Sequence, residues 1–338
     1  MQPMQPLEIA NPSDEFQSLT APYQRELMVH CYRFLGSLED AEDALQETLL
    51  RAWRRLDTLQ ERSALRAWLY KIATHVALDM IDRRKSRALT VPASLPADPQ
   101  AALPAPVWEP VWLEPLPEEY LEDLAPTPEA RYETRESVSL AFLALLQTLP
   151  GRQRAALILC DVLDWRAQEV AGLLELSPAA VNSALQRARA TLRKVQFGPG
   201  ASHGEEPPAG VLERYARAWE AADTAGLAAL LREDVTLSMP PLPVWYQGRA
   251  AVLAFLAKHL FGGQAGRFRL AATRANGAPA FAVYQADAQG AYRPAVLQAL
   301  TLHGGQVARM DDFIVFDERL FQRFHLPLTD GKSTARPG

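Results

Sequence analysis

Residues 164–194 read DWRAQEVAGLLELSPAAVNSALQRARATLRK, two short helices joined by a tight turn. The Ser177 hydroxyl can cap the second helix, and Pro178 suits its first position. Val181, Ala184 or Leu185, Ala188 and Leu192 then recur at i, i+3/4, i+7 and i+11, one apolar stripe facing a core. The opposite side carries Asn182, Ser183, Gln186, Arg187, Arg189 and Arg193, while Val170, Ala171 and Leu174 give the first helix a matching stripe. A helix-turn-helix with a polar, basic second helix is built to enter a DNA major groove. A plain antiparallel helix pair with a solvated face has the same pattern, and the pattern alone leaves both readings open.

The chain has 338 residues, room for two or three domains. Its net charge is −5, so any DNA contact must be local rather than spread over the surface. Cys31 and Cys160 are its two cysteines, each inside an apolar helical run, which points to buried free thiols. No signal peptide is visible and no apolar run approaches the ~18 residues of a membrane span, so a soluble, cytoplasmic chain is expected. Metal-ligand spacings, a glycine-rich phosphate loop and a G-x-S-x-G elbow do not appear, so neither metal, cofactor nor catalysis is expected.

Composition divides the chain. Residues 1–14 read as a disordered N-terminus and 15–89 as helical throughout. Leu27, Cys31 and Phe34 share one face, as do Leu45, Leu49, Ala52 and Trp53, then Trp68, Leu69, Ile72 and Ala73, then Val76, Met80 and Ile81. That part ends in Arg83-Arg84-Lys85-Ser86-Arg87, a nucleic-acid footprint or a solvated helix end. Residues 90–133 are proline-rich and acidic, a linker that cannot build a core of its own; Trp108, Trp112 and Tyr120 suggest that part of it docks. Residues 134–197 are helical again, 198–209 form a second linker, 210–327 are mixed and 328–338 a tail. In the mixed part a helix is expected over 211–231 and another over 250–260. Strands are expected over 235–239, 268–273, 280–285, 295–303 and 306–313, with turns at Asn276-Gly277 and Gly304-Gly305. This order fits an α+β domain with helices packed on a curved antiparallel sheet.

Three stretches carry a family resemblance. DAEDALQETLLRAW at 40–53 resembles region 2.2 of bacterial sigma-70 superfamily factors, and AWLYKIA at 67–73 their region 2.3. LPGRQR at 149–154 with the following helix-turn-helix resembles region 4. With only a linker between regions 2 and 4, the match is to the extracytoplasmic-function group. MPPLPVWYQGR at 239–249 resembles SnoaL-like domains of the nuclear-transport-factor-two, or ketosteroid-isomerase-like, fold. The resemblance implies a multidomain chain: two all-α sigma domains followed by an α+β cone with a curved antiparallel sheet.

It also implies a promoter-specificity subunit of RNA polymerase. Asp43, Gln46, Glu47, Leu50 and Arg51 would bind the clamp helices of the polymerase β′ subunit, and the β flap would be a further partner. The loop Glu61, Arg62, Ser63 to Leu65 would capture a flipped base of the −10 element, with Trp68, Lys71, His75 and Asp79 lining the strand-opening helix. Arg83, Arg84 and Arg87 would hold phosphates. Asn182, Ser183, Gln186, Arg187 and Arg189 would read or clamp the −35 element. His75 stands where many relatives carry Asn, and Asn182 and Ala184 where many carry Lys and Arg.

The two promoter elements would lie about 85 Å apart, at 3.4 Å for each of about 25 base pairs. A linker of about 44 residues has a coil dimension of only about 35–40 Å but reaches about 150 Å when extended. It therefore spans the elements only when pulled out along a surface, which the polymerase would supply. The C-terminal domain is expected to regulate the factor in cis, clamping the helical domains together in a free, monomeric chain. Alternatively it is a small-molecule-binding or isomerase-like domain. Trp219, Met239, Trp245, Tyr246, Phe255 and Phe281 would then line a pocket for a small apolar ligand, with Asp234, Tyr246, Asp287 and Asp311 as possible acids or bases.

Overall fold

The computed structural model describes residues 12–59, 61–83, 95–108, 112–122, 124, 127–194 and 205–329. Helix α1 (Pro12–Leu35) begins ahead of the expected boundary at residue 15, with Asp14 and Glu15 at the positive end of its dipole. Helix α2 (Leu38–Arg54) starts where the Ser37 hydroxyl accepts from Asp40 N at 3.1 Å. Helix α3 (Leu65–Arg83) completes a bundle cored by Leu27, Cys31, Phe34, Leu69 and Val76. Cys31 is a free, buried thiol, which burial pushes up to about 12.

The second helical part holds α4 (Pro128–Val138), α5 (Leu140–Gln147), α6 (Gly151–Leu157), α7 (Ala167–Leu174) and α8 (Pro178–Lys194). Helix α4 starts inside the stretch read as linker, because Thr127 caps it and Pro128 has no N–H to lose. Between α6 and α7 a π-helical turn spans Ile158–Val162. The α7–α8 pair is the expected helix-turn-helix. Ser177 Oγ accepts from Ala180 N at 3.1 Å, Glu175 turns the corner at φ 56°, and Val181, Ala184, Leu185 and Ala188 are buried.

The C-terminal part runs α9 (Val211–Glu220), α10 (Thr224–Leu230), β1 (Leu231–Ser238), β2 (Trp245–Gln247), α11 (Arg249–Phe255), β3 (Phe268–Ala275), β4 (Ala278–Ala286), β5 (Tyr292–His303), β6 (Gln306–Ile314) and α12 (Arg319–Arg323). The single helix expected over 211–231 is two. Ala222 takes φ 54°, and Asp223 caps a new start through Gly226 N at 2.9 Å. The sheet has the order β2-β1-β6-β5-β4-β3. Strands β3 to β6 form the expected antiparallel meander, with two-residue hairpins at Asn276-Gly277 and Gly304-Gly305, all four residues at positive φ. The sheet is mixed rather than wholly antiparallel. The chain crosses from β2 through α11 to the far edge, and the returning meander lays β6 parallel to β1.

Both faces of this sheet are buried, and alternate residues say by what. Phe281, Val283, Leu300, Leu302 and Met310 join the core under α9–α11. Ala280, Ala282, Leu297, Ala299 and Phe313 point the other way, into a cluster continuous with the sigma-like helices. The small alanines of that face allow close approach. The acidic linker is the mortar: Trp112, Leu113, Leu116 and Leu121 are buried. It has no core of its own, as expected, but borrows one from both neighbours. The shorter linker docks too, through Glu205 N to Leu302 O at 2.9 Å.

Candidate polymerase and promoter interfaces

Three surfaces and one junction make up the site. On α2, Asp43, Gln46 and Leu50 are exposed and Glu47 and Arg51 half-buried. Their spacing of three and four residues puts all five on one face. Arg51 is fixed there, with Nε 2.7 Å from Glu47 Oε1 and Nη1 3.0 Å from Asp79 Oδ2. Leu50, 50% exposed, and Trp53, 41% exposed, give this charged face an apolar centre. Asp79, assigned by resemblance to the strand-opening helix, thus spends its carboxylate on the α2 face.

The second surface is α3 with the loop before it. Glu61, Arg62 and Ser63 are exposed; Arg62 pairs with Glu15 at 3.0 Å and Ser63 Oγ donates to Glu61 at 3.1 Å. Trp68, Lys71 and His75 lie half-buried on one face of α3. They are partly covered, because the second helical part packs there. Lys71 Nζ is 3.4 Å from Glu175 Oε1 in the helix-turn-helix corner, and Tyr70 meets Trp165 at 5.6 Å between ring centres. Ala67, Trp68, Lys71, Trp165, Glu169 and Leu173 enclose a cavity of about 350 Å³ between α3 and α7. Burial, and then the Lys71 charge, hold the His75 imidazole below its ordinary value. Arg83 is exposed at the end of α3, and Arg84 and Arg87 lie outside the described residues.

The third surface is α8, where Asn182, Ser183, Gln186 and Arg187 are exposed together. Arg189 is exposed as well but is held to one flank by Asp161, with hydrogen bonds of 2.9 and 2.6 Å.

Known proteins resemble this chain in all three of its parts. Residues 19–87 match Sigma-70 region 2, residues 139–192 match Sigma-70 region 4, and residues 212–317 match the SnoaL-like domain. Over 326 residues the chain is 41% identical to the ECF RNA polymerase sigma factor SigG of Mycobacterium tuberculosis, covering 94% of this chain and 86% of that one. The chain belongs to the ECF RNA polymerase sigma factor family. SigJ of the same species is 30% identical over 66% of the chain and 63% of its own length. A SigJ crystal structure has the same fold, with a TM-score of 0.58 at 24% identity over 94% of this chain and 99% of that one. Like its family, this ECF factor is a promoter-specificity subunit whose partners are RNA polymerase and promoter DNA. Among its described residues no helix is long and apolar enough to cross a membrane.

In this ECF factor the junction between regions is the part that sequence reasoning missed. Asn276, at the tip of the β3–β4 hairpin, is buried and donates through Nδ2 to Tyr32 Oη at 2.8 Å and to Val138 O at 2.7 Å. Its Oδ1 accepts from Leu116 N at 2.9 Å, and its own N–H donates to Leu116 O at 2.8 Å. One residue of the SnoaL-like domain thereby joins region 2, the linker and the end of α4, at the entry to region 4. A Cβ on the neighbouring Gly277 would lie 2.5 Å from Arg135 Cγ, so only glycine fits. Around this tip Glu118, Arg135, Glu206 and Arg274 form an ion cluster with N–O distances of 2.7–3.5 Å. Glu114 Oε2 caps α2 from the linker, accepting from Leu38 N at 2.9 Å and Ser37 Oγ at 3.0 Å. Arg154 of the LPGRQR motif is buried and reaches out of region 4 to donate to Phe34 O, the open carbonyl end of α1. Burial lowers its guanidinium to about 10, so it stays charged.

Of the six aromatic and apolar residues named for the cone, Trp219, Met239, Tyr246, Phe255 and Phe281 are buried in one cluster and Trp245 is half-buried. Tyr246 stacks on Phe255 at 4.5 Å, and Phe281 on Tyr215 at 5.7 Å. The candidate acids do not meet: Asp234 pairs with Arg232, Asp287 closes a turn through Ala291 N, and Asp311 binds Arg309 and Ser238.

Proposed function

We propose that the SnoaL-like domain regulates this sigma factor in cis by holding regions 2 and 4 closed, and that engagement of the polymerase core opens them. The observation that carries the reading is the packing of α3 on the helix-turn-helix, with Lys71 and Glu175 3.4 Å apart. Promoter elements about 85 Å apart, at 3.4 Å per base pair, cannot both be engaged by surfaces in contact. The closed form also covers the face of α3 that would hold unpaired bases. It leaves open the α2 face for the β′ clamp helices and the α8 face for the −35 duplex. Core binding can therefore begin on the closed form, and drawing the linker out along the polymerase would break the Leu116 and Glu114 contacts. A tether of about a dozen residues gives an effective concentration in the millimolar range, so a weak interface suffices to keep the free chain shut.

Within this scheme Asp43, Gln46, Glu47, Leu50 and Arg51 dock the core. The loop at 61–65 with Trp68, Lys71 and His75 takes the −10 strand. Asn182, Ser183, Gln186 and Arg187 read the −35 element in the major groove, while Arg189, steered by Asp161, approaches phosphate. The test is run-off transcription with purified core, comparing the full chain with one ending after Phe197. The truncated factor should be the more active at limiting core. Equal activity at matched concentrations would remove the regulatory role.

A further inference from the structure

Region 2, the linker and the SnoaL-like domain leave a cavity of about 320 Å³ where they meet. Leu38 at the start of α2, Trp108 and Trp112 of the linker, Pro241 after β1, Phe313 at the end of β6 and Leu320 of α12 supply its walls. The volume lies at the lower end of the range for small-molecule sites, too small for a helix or a folded partner. Two indoles, a phenyl ring and proline faces present flat apolar surface, which favours a planar ring. The mouth is marked as well. Trp108 is 63% exposed and packs edge-on, at 5.1 Å, against Phe316, itself 54% exposed. Large aromatic residues left in water as a pair at a cavity mouth signal a binding surface rather than a core.

The charges around the cavity give the ligand a direction. The Glu114 carboxylate in the wall is occupied by the N-terminus of α2. Arg323 is paired with Glu42 at 3.1 Å. Arg319, 77% exposed in its side chain, is paired at a long 3.6 Å with Asp317, which lines the same wall, so that wall carries two guanidinium groups to one carboxylate. Glu39 lies on the opposite wall, on α2. An acidic substituent is therefore favoured on the α12 side and disfavoured on the α2 side.

We propose that this junction cavity binds a small planar aromatic acid and that its occupation holds the sigma factor closed. The second half rests on the cis-clamp reading above. The walls come from region 2, the linker and the SnoaL-like domain as the closed arrangement brings them together, so drawing the linker out along the polymerase would take Trp108 and Trp112 from the site, and a ligand there favours the closed form. At a ligand concentration one hundred times Kd, the closed form gains about a hundredfold.

The test uses the full chain with naphthoate as probe and its uncharged amide, naphthamide, as control. Calorimetry should show a single site. Trp108→Ala should weaken both probes at least tenfold, and because Trp108 is exposed the fold is expected to survive, which circular dichroism checks. Arg319→Gln should weaken naphthoate several-fold and leave naphthamide unchanged. Naphthoate should inhibit run-off transcription by the wild type and not by Trp108→Ala, and core polymerase with promoter should displace it. Absence of saturable binding, or equal affinity in Trp108→Ala, would overturn the site and leave the clamp reading untouched. Binding that Trp108→Ala abolishes, with transcription unaffected and no displacement by core, would overturn the coupling and count against the clamp.

Discussion

Asn276 satisfies three partners through one short amide, Tyr32 of α1, Leu116 of the linker and Val138 of α4. Asn276→Ala would orphan the Leu116 N–H and the Val138 carbonyl, at about 1–3 kcal/mol for each buried group left unmet. It would also put alanine at φ 54°, a conformation that asparagine tolerates better. The closed arrangement should loosen while the separate cores survive. Hydrogen exchange should then quicken at residues 112–122 and 134–138 without change in β4 and β5; unchanged protection throughout would mean that Asn276 is no clamp. A second prediction concerns His30, buried in region 2 with Nε2 2.9 Å from Thr74 Oγ1. Burial, then Arg33 and Arg66, lower it to about 3. The unfolded chain takes up the proton near its ordinary value and the fold refuses it. Stability present above about pH 6.5 is therefore lost as pH falls toward about 3, at up to about 1.4 kcal/mol per pH unit. Urea unfolding of His30→Leu should show a flatter acid limb than the wild type. The sequence announced Asn276-Gly277 as a turn, because turn chemistry is local. It was silent on the amide's partners, one of them 244 positions away, because nothing in a periodic pattern encodes them.

At the scale of elements, the polar face of α8 follows directly from helical spacing, while the α2 residues came from the resemblance to region 2.2; what each face binds is a proposal that substitutions test. Gln46→Ala with Arg51→Ala should abolish core binding and leave the bundle folded, since Gln46 is exposed and the half-buried Arg51 pairs with Glu47 and Asp79 outside the hydrophobic core. Pull-down of core at wild-type levels by the double variant would refute the α2 assignment. On α8, Arg187→Ala should weaken −35 binding by about 1–3 kcal/mol if it reads a guanine. Footprinting across promoters measures this, and an unchanged footprint would move recognition elsewhere on the helix. Elements defined by a break or by distant pairing were harder to read. The α9–α10 break depends on Ala222 at positive φ, which an alanine-rich stretch conceals. Strand β2 is only three residues long, and the parallel β1–β6 pairing depends on a crossover between distant segments. The docked course of the linker was foreshadowed only by its tryptophans; its proline and acid content describe a chain with no core of its own, which is true, but say nothing of a borrowed one.

For the molecule as a whole, the two linkers and the SnoaL-like sheet turn three domains into one packed body. Arg154, Asn276 and Glu114 each cross a boundary between parts that, in the proposed mechanism, engagement of the core separates. The most direct measurement is small-angle scattering of the free, full-length factor beside Asn276→Ala. A closed chain of 338 residues should have a radius of gyration close to about 20 Å, and the variant a clearly larger one. A wild-type factor already extended in solution, with the same curve as Asn276→Ala, would contradict the closed state on which the account depends.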